Sequence, residues 1–87
     1  MKHAGPAALE ALAPLLALLR SRADLVERTP GCFYRRSQAF LHFHEDPEGL
    51  FADVKLGGKG FTRMGVSNAV EQDLIWARVQ AHLDAPA

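Results

Sequence analysis

Hydrophobic positions follow two different rhythms along this chain. Over residues 6–22, Leu9, Leu12, Leu15, Leu16 and Leu19 recur at i, i+3 and i+4, the spacing of one buried helical stripe. The intervening Ala, Glu and Arg favour helix as well. Pro14 interrupts this segment. It either kinks the helix or opens a second one, because proline is accepted only in a first turn. Residues 23–29 read equally as a last helical turn or a short strand, and Pro30-Gly31 ends them. Over residues 32–66 the rhythm changes to alternation: 32–36, 39–45, 50–56 and a shorter 61–66 read as strands. Asp46-Pro47-Glu48-Gly49 has the residues of a type I turn, Ser37-Gln38 that of a short loop, and Gly57-Gly58-Lys59-Gly60 a flexible turn. Residues 68–83 return to helix, with Asn68 and Glu71 as a cap and Leu74, Ile75, Val79 and Leu83 beside Val70 and Trp76 as the apolar face. The fold class expected is α+β: a two-layer sandwich of a three- to four-stranded antiparallel meander with an N-terminal and a C-terminal helix on one face.

Parity fixes a register. A loop at 46–49 sets Glu45 opposite Leu50, Phe43 opposite Ala52 and Leu41 opposite Val54. A loop at Ser37-Gln38 sets Tyr34 opposite Leu41 and Cys32 opposite Phe43. One face then collects Cys32, Tyr34, Leu41, Phe43, Leu50, Ala52, Val54 and Leu56 as core. The other collects Phe33, Arg35, Phe40, His42, His44, Phe51, Asp53 and Lys55. A bulge in either hairpin would mix the two sets. Three phenylalanines among charges make the second face an expected interaction surface, covered by a second copy of the chain or by another protein.

Composition narrows the rest. At 87 residues one domain of 1–87 is expected, with a thin stability margin. Ten Lys and Arg balance ten Asp and Glu, which disfavours a general claim on nucleic acid or anionic membrane. A lone cysteine, Cys32, leaves no intrachain disulfide and points to a cytoplasmic protein. The apolar run 12–19 is too short for a membrane span, and no n-region precedes it as a signal peptide would require.

His42 and His44, two apart on a strand, point the same way, with Asp53 opposite His42. Two imidazoles and a carboxylate are a candidate set for a divalent metal such as zinc or iron. A structural His42–Asp53 hydrogen bond, or two interface histidines, would use the same residues. Arg35 and Arg36 beside Phe33 and Tyr34 have the basic-aromatic mix of single-strand nucleic-acid binders, against which stand the balanced charge and the acidic group Glu45-Asp46-Glu48. Cys32 as a nucleophile is disfavoured by its expected core position. The glycine-rich turn at 57–60 lacks phosphate-loop spacing. No catalytic triad or paired-carboxylate site emerges, so an enzyme is unsupported.

The stretch from Pro30 through Asp46, with Gly49-Leu50-Phe51-Ala52-Asp53-Val54, resembles small uncharacterised bacterial proteins grouped with a "luciferase-like" or phospholipase-associated domain, in which a His-x-His strand precedes an Ala-Asp-hydrophobic strand. More loosely it is similar to the YjbR type, an α+β fold related to frataxin's architecture for which DNA binding has been suggested. The resemblance implies the α+β fold and points to His42, His44 and Asp53. The chain departs from those proteins in lacking a longer segment before the final helix.

Overall fold

The computed structural model describes residues 2–86. In chain order it contains β1 (Lys2–His3), α1 (Pro6–Ala11), α2 (Ala13–Arg20), β2 (Val26–Thr29), β3 (Cys32–Arg35), β4 (Gln38–Asp46), β5 (Gly49–Val54), β6 (Thr62–Gly65) and α3 (Ala69–Leu83). Strands β2 to β6 form an antiparallel meander, and β1 adds to β4 beyond the end of β3. The fold is thus the expected α+β type, with more strands than the expected three to four.

Pro14 starts a helix rather than bending one. It stands in the first turn of α2, where its missing N–H is one of the unpaired ones in any case. Leu12 is the hinge residue: its N–H reaches Ala8 at 3.0 Å, and its carbonyl accepts from Leu16 at 2.9 Å. Leu12, Leu15, Leu16 and Leu19 are buried as the stripe requires, and Leu9 is partly so. In α3 the stripe is narrower than its composition suggests. Ile75, Val79 and Leu83 are buried, but Val70 is 78% exposed and Leu74 58%. Asn68 caps α3 by accepting from the Glu71 N–H at 2.9 Å, while Glu71 accepts from the Ser67 N–H at 2.8 Å.

The β4–β5 ladder has the register that parity predicts: Leu41 opposite Val54, His42 opposite Asp53, Phe43 opposite Ala52 and Glu45 opposite Leu50. Leu41, Phe43, Ala52 and Val54 join the buried residues of α2 and α3 in one apolar core. The β3–β4 hairpin differs from expectation. Its loop is Arg36-Ser37, one residue earlier than Ser37-Gln38, with φ of 52° and 68°. Left-handed backbone at both loop positions matches the twist of the flanking strands. Arg35 then faces Gln38 and Tyr34 faces Ala39, but Phe33 faces Leu41, so Phe40 is an extra, bulged residue. A one-residue slip exchanges the faces of a strand. Phe33 accordingly enters the core at 1% exposure, and the bulge turns Phe40 inward at 3%. Cys32, expected in the core, pairs with His42 and is partly exposed, and Tyr34 lies under the Arg28 guanidinium at 4.5 Å.

Within residues 23–29, Val26–Thr29 form a strand, β2, and one carboxylate ties it to its neighbours. Glu27 accepts two bonds from Arg20 of α2, at 2.6 and 2.9 Å, and one from the Gly31 N–H at 2.9 Å. Gly31, after Pro30, has φ 78°, as the third position of a type II turn requires. The Arg20 guanidinium holds the Glu27 carboxyl below its ordinary value of 4.5. The unfolded chain therefore binds a proton there before the folded one does, and the stabilisation is present above that range and lost as the pH falls through the folded value. Arg20 is half exposed, which limits the effect to about 1 kcal/mol. Glu27→Gln is expected to lower the melting temperature at neutral pH, and thermal melts across acid pH should show the gap to wild type closing below about pH 4.5. A gap unchanged by acid would refute this role.

Candidate metal centre

The outer face of the central ladder carries the chemistry. His42 and His44 of β4 alternate with the buried Leu41 and Phe43, so the strand that builds the core also aims both imidazoles away from it. Asp53 of β5 lies opposite His42, and Arg63 of β6 lies opposite Asp53. The three side chains form one row across three strands. One ring nitrogen each of His42 and His44 and a carboxylate oxygen of Asp53 lie within 4.8 Å of one another. The His44 Nε2 is 3.1 Å from Asp53 Oδ2, and the His42 Nε2 is 3.9 Å from the same oxygen.

A fourth group enters from a strand that the hydrophobic pattern does not reveal. β1 pairs His3 with His44 and Lys2 with Glu45. The His3 ring lies 5.3 Å from that of His44 and 6.2 Å from that of His42, and the latter two rings are 4.6 Å apart, edge to face. Two residues are too few for alternation to register. The local signal is Gly5, whose N–H donates to Glu45 at 2.8 Å, together with the Ala4 N–H, which reaches Phe43 O at 3.2 Å. Phe61 closes the other side, its ring edge-on to His42 at 4.9 Å, and Lys55 lies over Phe61 at 5.2 Å.

The electrostatics are uneven. Asp53 is buried, yet Arg63 donates to both its oxygens, at 2.8 and 3.0 Å, and holds the carboxyl below its usual range against the opposing effect of burial. Burial, with the neighbouring His44, pushes His42 below its ordinary value, so its ring is kept neutral. Both ring nitrogens of His42 and of His44 are buried and have no hydrogen-bond partner among the described residues. The close approach of His44 to Asp53 does not change this, because the N–H direction misses the oxygen. Four orphaned nitrogens on one small face are unusual, since buried polar atoms nearly always find a partner.

Of the other residues expected on this face, Phe51 is there, half-buried opposite His44. Phe33 and Phe40 are in the core for the reason given by the bulge, which leaves the self-association reading with one of its three phenylalanines. Arg35 and Lys55 line a cleft beside the histidines' row, beyond the Leu41–Val54 pair. Among the described residues no helix is long and apolar enough to cross a membrane. No family model, curated protein or solved structure matches the chain, so none of these identifies the luciferase-like or the YjbR type.

Unpaired buried nitrogens destabilise a protein that has no use for them. Replacing such a group with an apolar one of similar size is neutral or stabilising, because its desolvation cost of about 1–3 kcal/mol disappears. His42→Leu, melted in the presence of a chelator, is expected to be at least as stable as wild type. A clear loss of melting temperature would show that the imidazole is satisfied in solution.

Proposed function

We propose that this protein binds a divalent transition metal of the zinc type through His42, His44 and Asp53, with His3 completing the site. The observation that carries this reading is the orphaning of both imidazoles around one carboxylate. A hydrogen-bonded structural cluster would show N–H groups aimed at acceptors. Ligands arranged for a cation instead aim lone pairs at a common point. Tetrahedral ligation at about 2.0–2.1 Å sets neighbouring ligand atoms about 3.3 Å apart. The His44–Asp53 separation of 3.1 Å is close to this, and the His42–Asp53 separation of 3.9 Å needs only a small ring adjustment. The donor set, imidazole with one carboxylate, suits zinc and the later first-row divalent ions over calcium or magnesium.

Arg63 fits this reading as an orienting group. Each carboxylate oxygen has two lone pairs, so Oδ2 can accept from Arg63 and still offer an electron pair to a metal. The neutral state of His42 suits a ligand, since a protonated ring cannot bind. His3 is exposed, so it is the replaceable member of the set. With His3 bound the metal ties β1 to the middle of the sheet. With His3 displaced the fourth position is open to water or a small molecule.

The test is a zinc titration of the full chain after chelator treatment, read by metal analysis, calorimetry and the histidine ring resonances. One zinc per chain is expected, with a rise in melting temperature of the size that ligand binding gives, about 2.7 kcal/mol of stabilisation at a hundredfold excess over Kd. Cobalt in place of zinc should give the visible absorption of a four-coordinate site. His44→Ala and Asp53→Ala should abolish binding, and His3→Ala should weaken it. Stoichiometry well below one with unmoved histidine resonances would overturn the proposal.

A further inference from the structure

We infer that the cleft just beyond the Leu41–Val54 end of the β4–β5 ladder is a binding site for a small phosphorylated ligand, with no metal needed for its contacts. The cleft has a volume of about 360 Å³, the size of a small-molecule pocket, and is walled by the β3–β4 turn, the segment after β5 and the last turn of α3. Arg35, Arg36, Lys55 and His82 line it together with Gln38, and no carboxylate does. In a chain whose charges balance, this is a strong local departure. Most of the other cations, Lys2, Arg20, Arg22 and Arg63, are in ion pairs, while Arg28 lies over Tyr34 as Lys55 does over Phe61. Among the described residues, Arg35, Arg36 and Lys55 have no acidic partner within ion-pair distance. Three unneutralised cations on one concave wall repel each other, and an anion relieves that repulsion.

Two backbone features agree. Arg36 and Ser37 both occupy the left-handed region, at φ 52° and 68°, where Asn-Gly is the usual choice and an ordinary residue is strained. Backbone strain of this kind clusters at ligand-binding sites. Opposite it, Gly57 and Gly58 adopt φ of 96° and 75° with open space where a Cβ would stand, and among the described residues their N–H groups have no hydrogen-bond partner. Gly57 and Gly58 line the same cleft as two guanidinium groups, and a phosphate takes forked donors from arginine. The His82 ring stacks on the buried Phe40 at 6.0 Å and 21°, which fixes the fourth donor in the wall.

Inorganic phosphate and pyrophosphate are the probes, titrated into chelator-treated full-length protein and followed by amide chemical shifts. Saturable shifts confined to residues 35–38, 55–58 and 82 are expected. Arg36→Ala should weaken pyrophosphate binding by about ten-fold or more, the loss of one charge-assisted contact. Ser37→Gly should retain binding while raising the melting temperature, which separates the charge from the turn. Non-saturating shifts spread over Arg20, Arg28 and Arg78 alike would overturn the proposal. So would tighter binding of a single-stranded oligonucleotide with contacts reaching beyond the cleft to Arg28 and Arg63. Because no metal is present, failure of the zinc titration leaves this result unaffected.

Discussion

The β4–β5 ladder is the constraint on which the rest of the molecule depends. Six consecutive pairs, from Leu41 with Val54 to Asp46 with Gly49, hold two strands in a single register. Along them Leu41 and Phe43 of β4 are committed to the core, and His42 and His44 between and beside them to the opposite face. The hydrophobic effect fixes the core set, since exposing Leu41, Phe43, Ala52 and Val54 together would forfeit several kcal/mol. The opposite set has no say in the matter. His42, His44 and Asp53 are carried to one place by the burial of their neighbours, and the site inherits the rigidity of the core behind it.

That inheritance explains which parts of the molecule were legible in the sequence. The alternation of residues 39–45 and 50–56 shows in the letters, and Asp46-Pro47-Glu48-Gly49 names its own turn, so the face of His42, His44 and Asp53 follows by parity. The β3–β4 hairpin does not follow. Its loop uses Arg36-Ser37 in left-handed geometry with no glycine, asparagine or aspartate to announce it, and the bulge at Phe40 lies within an unbroken strand pattern. Both errors of expectation act on aromatic residues. An interaction face of three phenylalanines becomes a core containing two of them. His3 escapes for a different reason: a two-residue strand is specified by the partner it adds to, and that partner is forty residues away.

Two places in this small domain set local cost against stability. One is the pair of buried imidazoles without hydrogen bonds; the other is the left-handed turn at Arg36 and Ser37. Both lie outside the apolar core, whose residues are well buried. A chain of 87 residues has a margin of only about 5–15 kcal/mol at best, so each such cost is a sizeable fraction of it. In natural chains rules of local consistency are broken mainly where binding or catalysis requires it. The two sites proposed are the two places where this chain breaks them.

The sites are also neighbours. Lys55 donates its N–H to Phe40 at 2.9 Å, two pairs beyond the His42–Asp53 pair, so the cleft and the histidine row are separated by two residues of strand, about 7 Å. This is within the screening length of about 8 Å at physiological ionic strength. Asp53 and Arg63 neutralise one another, and a dication added among the histidines would leave that face strongly positive. The field would fall on the same cleft that Arg35, Arg36 and Lys55 already make attractive to anions. A dication among the histidines would therefore favour an anion in the cleft, and because such coupling is a property of the free energy an anion there would favour the dication equally. The contacts are separate, but the short step along one ladder would couple the two proposed sites electrostatically.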